Sequence, residues 1–138
     1  MNIINLAVGA VFLGGVVGGP LGGFMLFGNI DYKSADSHLA LACKFGAMNY
    51  LEHNEATQLL SHDCTCFGDE TVKRLDPVQR VSVATTLRAF MIEAKKKEYQ
   101  EVPYETIMSL PERDAVMQSP LGDPELLGWV SSACLQQS

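Results

Sequence analysis

Residues 76–97 read DPVQRVSVATTLRAFMIEAKKK, and this stretch predicts a helix with both ends marked. The Asp76 carboxylate can accept from free N–H groups of a first turn, and Pro77 in the first helical position gives up no hydrogen bond. Val81, Ala84, Leu87, Met91 and Ala94 recur on one face, flanked by Val78, Val83 and Phe90. Lys95, Lys96 and Lys97 fall where cations suit the C-terminal end of the helix dipole. Glu93, Lys95, Lys96, Lys97 and Glu98 read as a solvated face, and Pro103 closes the element.

On the C-terminal side the spacing predicts two shorter helices, one opening at residues 109–112 and one at Asp123, Pro124 and Glu125, both with capping residues. Leu126, Leu127, Val130 and Cys134 line a face of the last helix. Trp129, with Phe90, Tyr50 and Met91, is expected in the core. On the N-terminal side, Leu39, Ala42, Cys43, Ala47, Tyr50 and Leu51 predict an amphipathic helix over residues 37–53, capped by Asp36 or Ser37. Asn54 would interrupt it or cap a second short helix through Leu59 and Leu60, and Gly68 would mark a turn. Strand alternation and fixed-period repeats do not occur, so the fold class expected is all-α, a small helical domain.

The first thirty residues differ in kind. No Asp, Glu, Lys, Arg or His occurs before Asp31. About 20 apolar residues suffice to cross a bilayer as a helix, so the run ending at Phe27 is expected to span, with residues 1–30 as a transmembrane segment and 31–138 as an acidic helical domain. Gly14, Gly18 and Gly22 form one four-residue series, and Gly15, Gly19 and Gly23 form a second beside it. The absent Cβ atoms make a smooth face against which another helix can pack closely. Pro20 among them predicts a kink, with a re-entrant loop over residues 18–23 as the alternative. A cleaved signal peptide is the rival reading, against which stand an N-terminus without Lys or Arg and a long apolar run.

Net charge is −6, which disfavours nucleic acid as a partner. Lys33 and Lys44 after the apolar run are diluted by Asp31 and Asp36, so the positive-inside rule leans only slightly towards a cytoplasmic domain. The four cysteines, Cys43, Cys64, Cys66 and Cys134, lean the other way, towards an exported domain clipped by disulfides. Cys64 and Cys66 are each expected to pair with a distant cysteine. Three connectivities exist and the spacing does not choose among them, although a bond between Cys64 and Cys66 would be strained.

His62, Cys64 and Cys66 form an H-x-C-x-C cluster, where soft ligands concentrate. Zinc would need a fourth ligand from Cys43 or Cys134, and thiol exchange would need a cation such as His62 to lower a thiol pKa. Neither a zinc-type pair of close cysteine pairs nor a thioredoxin pattern surrounds the cluster. His38 and His53 are too far apart to form a two-ligand face. P-loop, dinucleotide-binding, nucleophile-elbow, HExxH and EF-hand motifs are absent, so neither enzyme chemistry nor a cofactor is expected. The function expected is that of a single-pass accessory or assembly subunit of a larger membrane complex in the cell envelope. Its partners would be other membrane subunits, reached through the helix, and the lipid bilayer, or further copies of itself. The alternatives are a membrane-active or pore-forming protein that self-associates through its glycines, and a thiol-redox or metal-binding protein using His62, Cys64 and Cys66.

Overall fold

The computed structural model describes residues 29–51 and 55–136, and these are helical with no strand among them. The elements are α1 Ala35–Lys44, α2 Met48–Leu51, α3 Glu55–Leu60, α4 Cys64–Lys73, α5 Pro77–Tyr99, α6 Tyr104–Met108, α7 Pro111–Gln118, a 3-10 turn Pro120–Gly122, and α8 Pro124–Gln136. Residues 1–28 of the predicted transmembrane segment, its six glycines among them, lie outside the described residues, as do His53 and Asn54. Among the described residues no helix is long and apolar enough to cross a membrane.

The long helix α5 forms as its sequence dictates. Asp76 accepts from the Gln79 N–H at 2.8 Å, and the Gln79 side chain accepts from the Asp76 N–H at 3.0 Å, closing a capping box ahead of Pro77. Val83, Ala84, Leu87, Phe90, Met91 and Ala94 are buried along it, while Val78 is 75% exposed in the first turn. Its far end runs past the lysines to Tyr99. There the N–H of Glu101 bonds to the Glu98 carbonyl and that of Val102 to Lys97, a Schellman closure. Glu101 takes the left-handed position at φ 60°, which glycine would occupy with less strain.

The helix expected over residues 37–53 is two helices. Gly46 sits at φ +101°, with its N–H on the Cys43 carbonyl at 2.9 Å and the Ala47 N–H on Ala42 at 3.0 Å. This second Schellman motif ends α1, so the apolar periodicity continued through a break that Gly46 itself signals. The N-cap position is Ser34, ahead of Asp36. Gly68 is the opposite case: it lies buried inside α4 and makes no turn. A Cβ there would fall 2.3 Å from the Asp36 carbonyl oxygen and 3.3 Å from the Ala40 Cβ, so glycine is required by the close crossing of α1 and α4.

α1 packs against both α4 and α5. Its small residues Ala35, Ala40 and Ala42 permit both approaches. α8 lies against α4 and α3, and α7 lies against α5. Leu39, Leu51, Leu60, Phe67, Leu87 and Phe90 are among the fully buried side chains, each contributing roughly 1.5–3 kcal/mol of apolar burial.

Short helices are finished by distant side chains. Arg113 donates from Nε to the Tyr50 carbonyl at 2.7 Å and from its guanidinium to Leu51 at 3.1 Å, and the Tyr104 hydroxyl donates to Asn49 at 3.1 Å. These bonds satisfy the carbonyls at the end of α2. Arg80 does the same for α4, reaching the carbonyls of Val72 and Leu75 at 2.8 and 2.9 Å. The side-chain cap expected for the helix near residue 109 is not formed. Leu110 stands at the N-cap ahead of Pro111, and the Ser109 hydroxyl turns back to the carbonyls of Glu105 and Thr106, at the end of α6.

Candidate functional site

The cysteine cluster lies on α4, which Asp63 caps by accepting from the Cys66 N–H at 3.1 Å. On a helix, positions two apart point to nearly opposite sides. Cys64 accordingly bonds to Cys43 of α1 and Cys66 bonds to Cys134 of α8. The C-x-C pair is thus a double-sided clip that fastens α4 to the helix on each side. It leaves no free cysteine among the described residues. His62 is exposed in the turn before α4. The structure therefore brings Cys43, Cys64, Cys66 and Cys134 together as two bonds; it does not present His62, Cys64 and Cys66 as a set of free ligands. Among the described residues no group of three or more His, Cys, Asp or Glu is placed to hold a metal ion.

Three further polar arrangements lie between the helices. The Tyr50 hydroxyl donates to Glu98, which also pairs with Lys95 at 2.7 Å; Tyr50 stacks on Tyr104 and meets Phe90 edge-on. Burial and then the hydrogen bond to Glu98 push the Tyr50 pKa above its ordinary value. This group ties α2 to α5 and α6. At the crossing of α1 and α4, Asp69 has a raised pKa, first from desolvation and then from a hydrogen bond with Asp36. Half-buried His38 has a lowered pKa, first from desolvation and then from the positive charge of Arg88.

Trp129, expected in the core, is 56% exposed. Leu127, Val130, Ser131 and Cys134 take the buried face of α8, and a residue two steps beyond Leu127 must point away from it. The sequence held part of this signal, because the neighbouring positions Gly128, Ser132 and Ala133 are small or polar, although Leu126, three positions before Trp129, shares its side. Gly128, Ser132 and Ala133, together with Arg74 and Glu125, line an open groove of about 660 Å³. A second groove of about 360 Å³ adjoins it, sharing Arg74, Glu125 and Trp129 and reaching Lys73 and Asp123. The Arg74 guanidinium lies over the indole at 5.4 Å from its centroid, a cation–π contact that holds the ring on the surface. This surface combines a large amphipathic ring with both charges, and it suits contact with another surface better than enclosure of a small molecule.

Comparison of the chain with protein-family models, curated proteins and solved structures finds no match.

Proposed function

We propose that this chain is a single-pass accessory or assembly subunit of a larger membrane complex of the cell envelope, acting by contact rather than by catalysis. Residues 1–30 carry the membrane anchor, whose apolar run ends at Phe27, and its two glycine faces, Gly14, Gly18 and Gly22 with Gly15, Gly19 and Gly23, pack against helices of other subunits. The observation that carries the reading is a thirty-residue stretch without charge in which six glycines fall into two in-phase four-residue series. Lipid offers Leu and Val side chains nothing that another helix does not, whereas a smooth glycine face gains van der Waals contact only from a second backbone.

Support for an exported domain comes from the cysteines. Both disulfides occupy all four, an arrangement that persists in oxidising compartments and is rare in reducing ones. The domain then sits outside the cytoplasm and meets its partner there.

The test uses the full chain in its native membrane. Gly18→Leu combined with Gly22→Leu should abolish co-purification with partner subunits after gentle detergent extraction, while the chain itself remains in the membrane fraction. Unchanged co-purification would remove the packing face. An intact mass showing that the mature chain begins at Gly23 or later would remove the anchor.

A further inference from the structure

The residues that lead into α1 are held against the domain. Ile30 packs partly buried on the core. The Asp31 carboxylate accepts from the N–H groups of Lys33 and Ser34, each at 2.9 Å, and the Asp31 N–H donates to the Ser34 hydroxyl at 3.1 Å. The path from Ile30 to α1 is therefore a built turn.

The helix register shows what else lies at that end. α1 and α4 run antiparallel, because Cys43 is bonded to Cys64 while Asp36 meets Gly68 and Asp69. One further turn of α4 advances about 5.4 Å and brings Lys73 and Arg74 level with the residues just before α1, namely Tyr32 and Lys33. Trp129 comes with them, since Arg74 lies over its ring. Tyr32 is 45% and Trp129 56% exposed, and the Lys73 side chain is 65% exposed although its ammonium pairs with Glu70 at 2.9 Å. Lys33 rests over the Tyr32 ring at 5.8 Å.

Chain length then limits where this end can stand. Only two residues, Gly28 and Asn29, separate Phe27, where the apolar run ends, from Ile30. Fully extended, the three steps from Phe27 to Ile30 reach at most about 11 Å. The headgroup layer of one leaflet is roughly 5–8 Å thick. A domain tied this closely to a membrane-spanning segment cannot stand clear of the lipid surface.

Resting on the anchor reading above, we infer that Tyr32, Lys33, Lys73, Arg74 and Trp129 form a docking surface for the headgroup layer of a zwitterionic phospholipid bilayer. The chemistry fits each layer of the lipid. Indole and phenol rings sit at the boundary between hydrocarbon and headgroup with their polar edges towards water. Lys33, Lys73 and Arg74 donate to phosphodiester oxygens, and Asp123 and Glu125 beside them accept from headgroup ammonium groups. The mixed charge, in a chain of net charge −6, selects zwitterionic over strongly anionic lipid.

Trp129 is the only tryptophan of the chain, so its fluorescence reports this surface alone. The full chain is reconstituted into phosphatidylcholine vesicles and floated on a density gradient. Expected are co-flotation, a several-fold lower acrylamide quenching constant than for a free tryptophan amide, and quenching by lipids brominated near the top of the acyl chain. Lys73→Gln with Arg74→Gln should reduce the bromolipid quenching while the chain still floats. Failure to float overturns the anchor and the docking surface together. Flotation with Trp129 fully open to acrylamide overturns the docking surface alone. Protection from acrylamide without bromolipid quenching also overturns it, and assigns the surface to contact with protein.

Discussion

Replacing Gly68 by alanine tests the packing on which the domain depends. The added methyl would lie 2.3 Å from the Asp36 carbonyl oxygen and 3.2 Å from the carbonyl carbon, both backbone atoms. α1 and α4 would have to separate locally by about 1 Å to restore ordinary contact, and overpacking of this kind costs about 1–3 kcal/mol. The Cys43–Cys64 bond fastens the two helices about one turn away and restricts that relaxation, so the upper part of the range applies. Alanine in a helix interior recovers about 0.8–1 kcal/mol over glycine, leaving a net loss of about 2 kcal/mol. For a domain of this size the melting temperature should fall on the order of 10 °C. Gly128 supplies the control: it is also inside a helix, but a Cβ there meets nothing within 4 Å. Gly128→Ala should raise the melting temperature by a few degrees, reflecting propensity alone. Thermal melts of the full chain in detergent, disulfides intact and followed by far-ultraviolet circular dichroism, measure both. If Gly68→Ala melts at or above the wild-type temperature, α1 and α4 do not cross in backbone contact and the register argument for the lipid-facing end loses its basis.

The disulfides give a second prediction: an unreduced digest should yield peptides linking Cys43 to Cys64 and Cys66 to Cys134, and any other pairing would refute the clip. The sequence separations of 21 and 68 imply stabilisation of about 3 and about 4 kcal/mol by the loop-entropy relation, so the Cys66→Ser, Cys134→Ser pair should lower stability more than the Cys43→Ser, Cys64→Ser pair. The third concerns pH. Because the Asp69 pKa is raised by folding, the folded chain holds this proton more tightly than the unfolded chain does. That contribution is fully present below the unfolded value of 3.8 and is lost as pH rises through the folded value, leaving the carboxylate a cost at neutral pH. Asp69→Asn should therefore raise the melting temperature at pH 7, with the gain shrinking as both proteins are brought to acid pH; a gain independent of pH, or a loss at neutral pH, would contradict the sign.

Local chemistry was legible wherever a residue acts on its own neighbours. Asp76 and Pro77 announce the start of α5, Asp123 and Pro124 announce α8, and the three- and four-residue apolar spacing marks their buried faces, because capping and amphipathicity involve atoms a few positions apart. Gly46 belongs to the same class: its left-handed conformation ends α1 through bonds to Ala42 and Cys43, so the break was readable from the glycine although the apolar pattern ran across it. Trp129 likewise could be placed outside from the helical angles of α8.

Gly68, the cysteine pairing and the end of α2 belong to another class. Whether a glycine is a turn or a close crossing depends on what arrives from elsewhere in the chain, here the Asp36 carbonyl. Which cysteines bond depends on α4 lying between α1 and α8, and four cysteines alone allow three answers. The carbonyls of Tyr50 and Leu51 are satisfied by Arg113, more than sixty positions along, a partner no local pattern names. The sequence by itself determined α5 and α8 with their starts, the apolar face carried by α1 and the uncharged N-terminal segment, since these follow from propensity, periodicity and transfer free energy along the chain. Tertiary structure alone decided which helices touch, which sulfurs join and which face is left to meet its surroundings, because those outcomes depend on steric fit between segments that share no local signal.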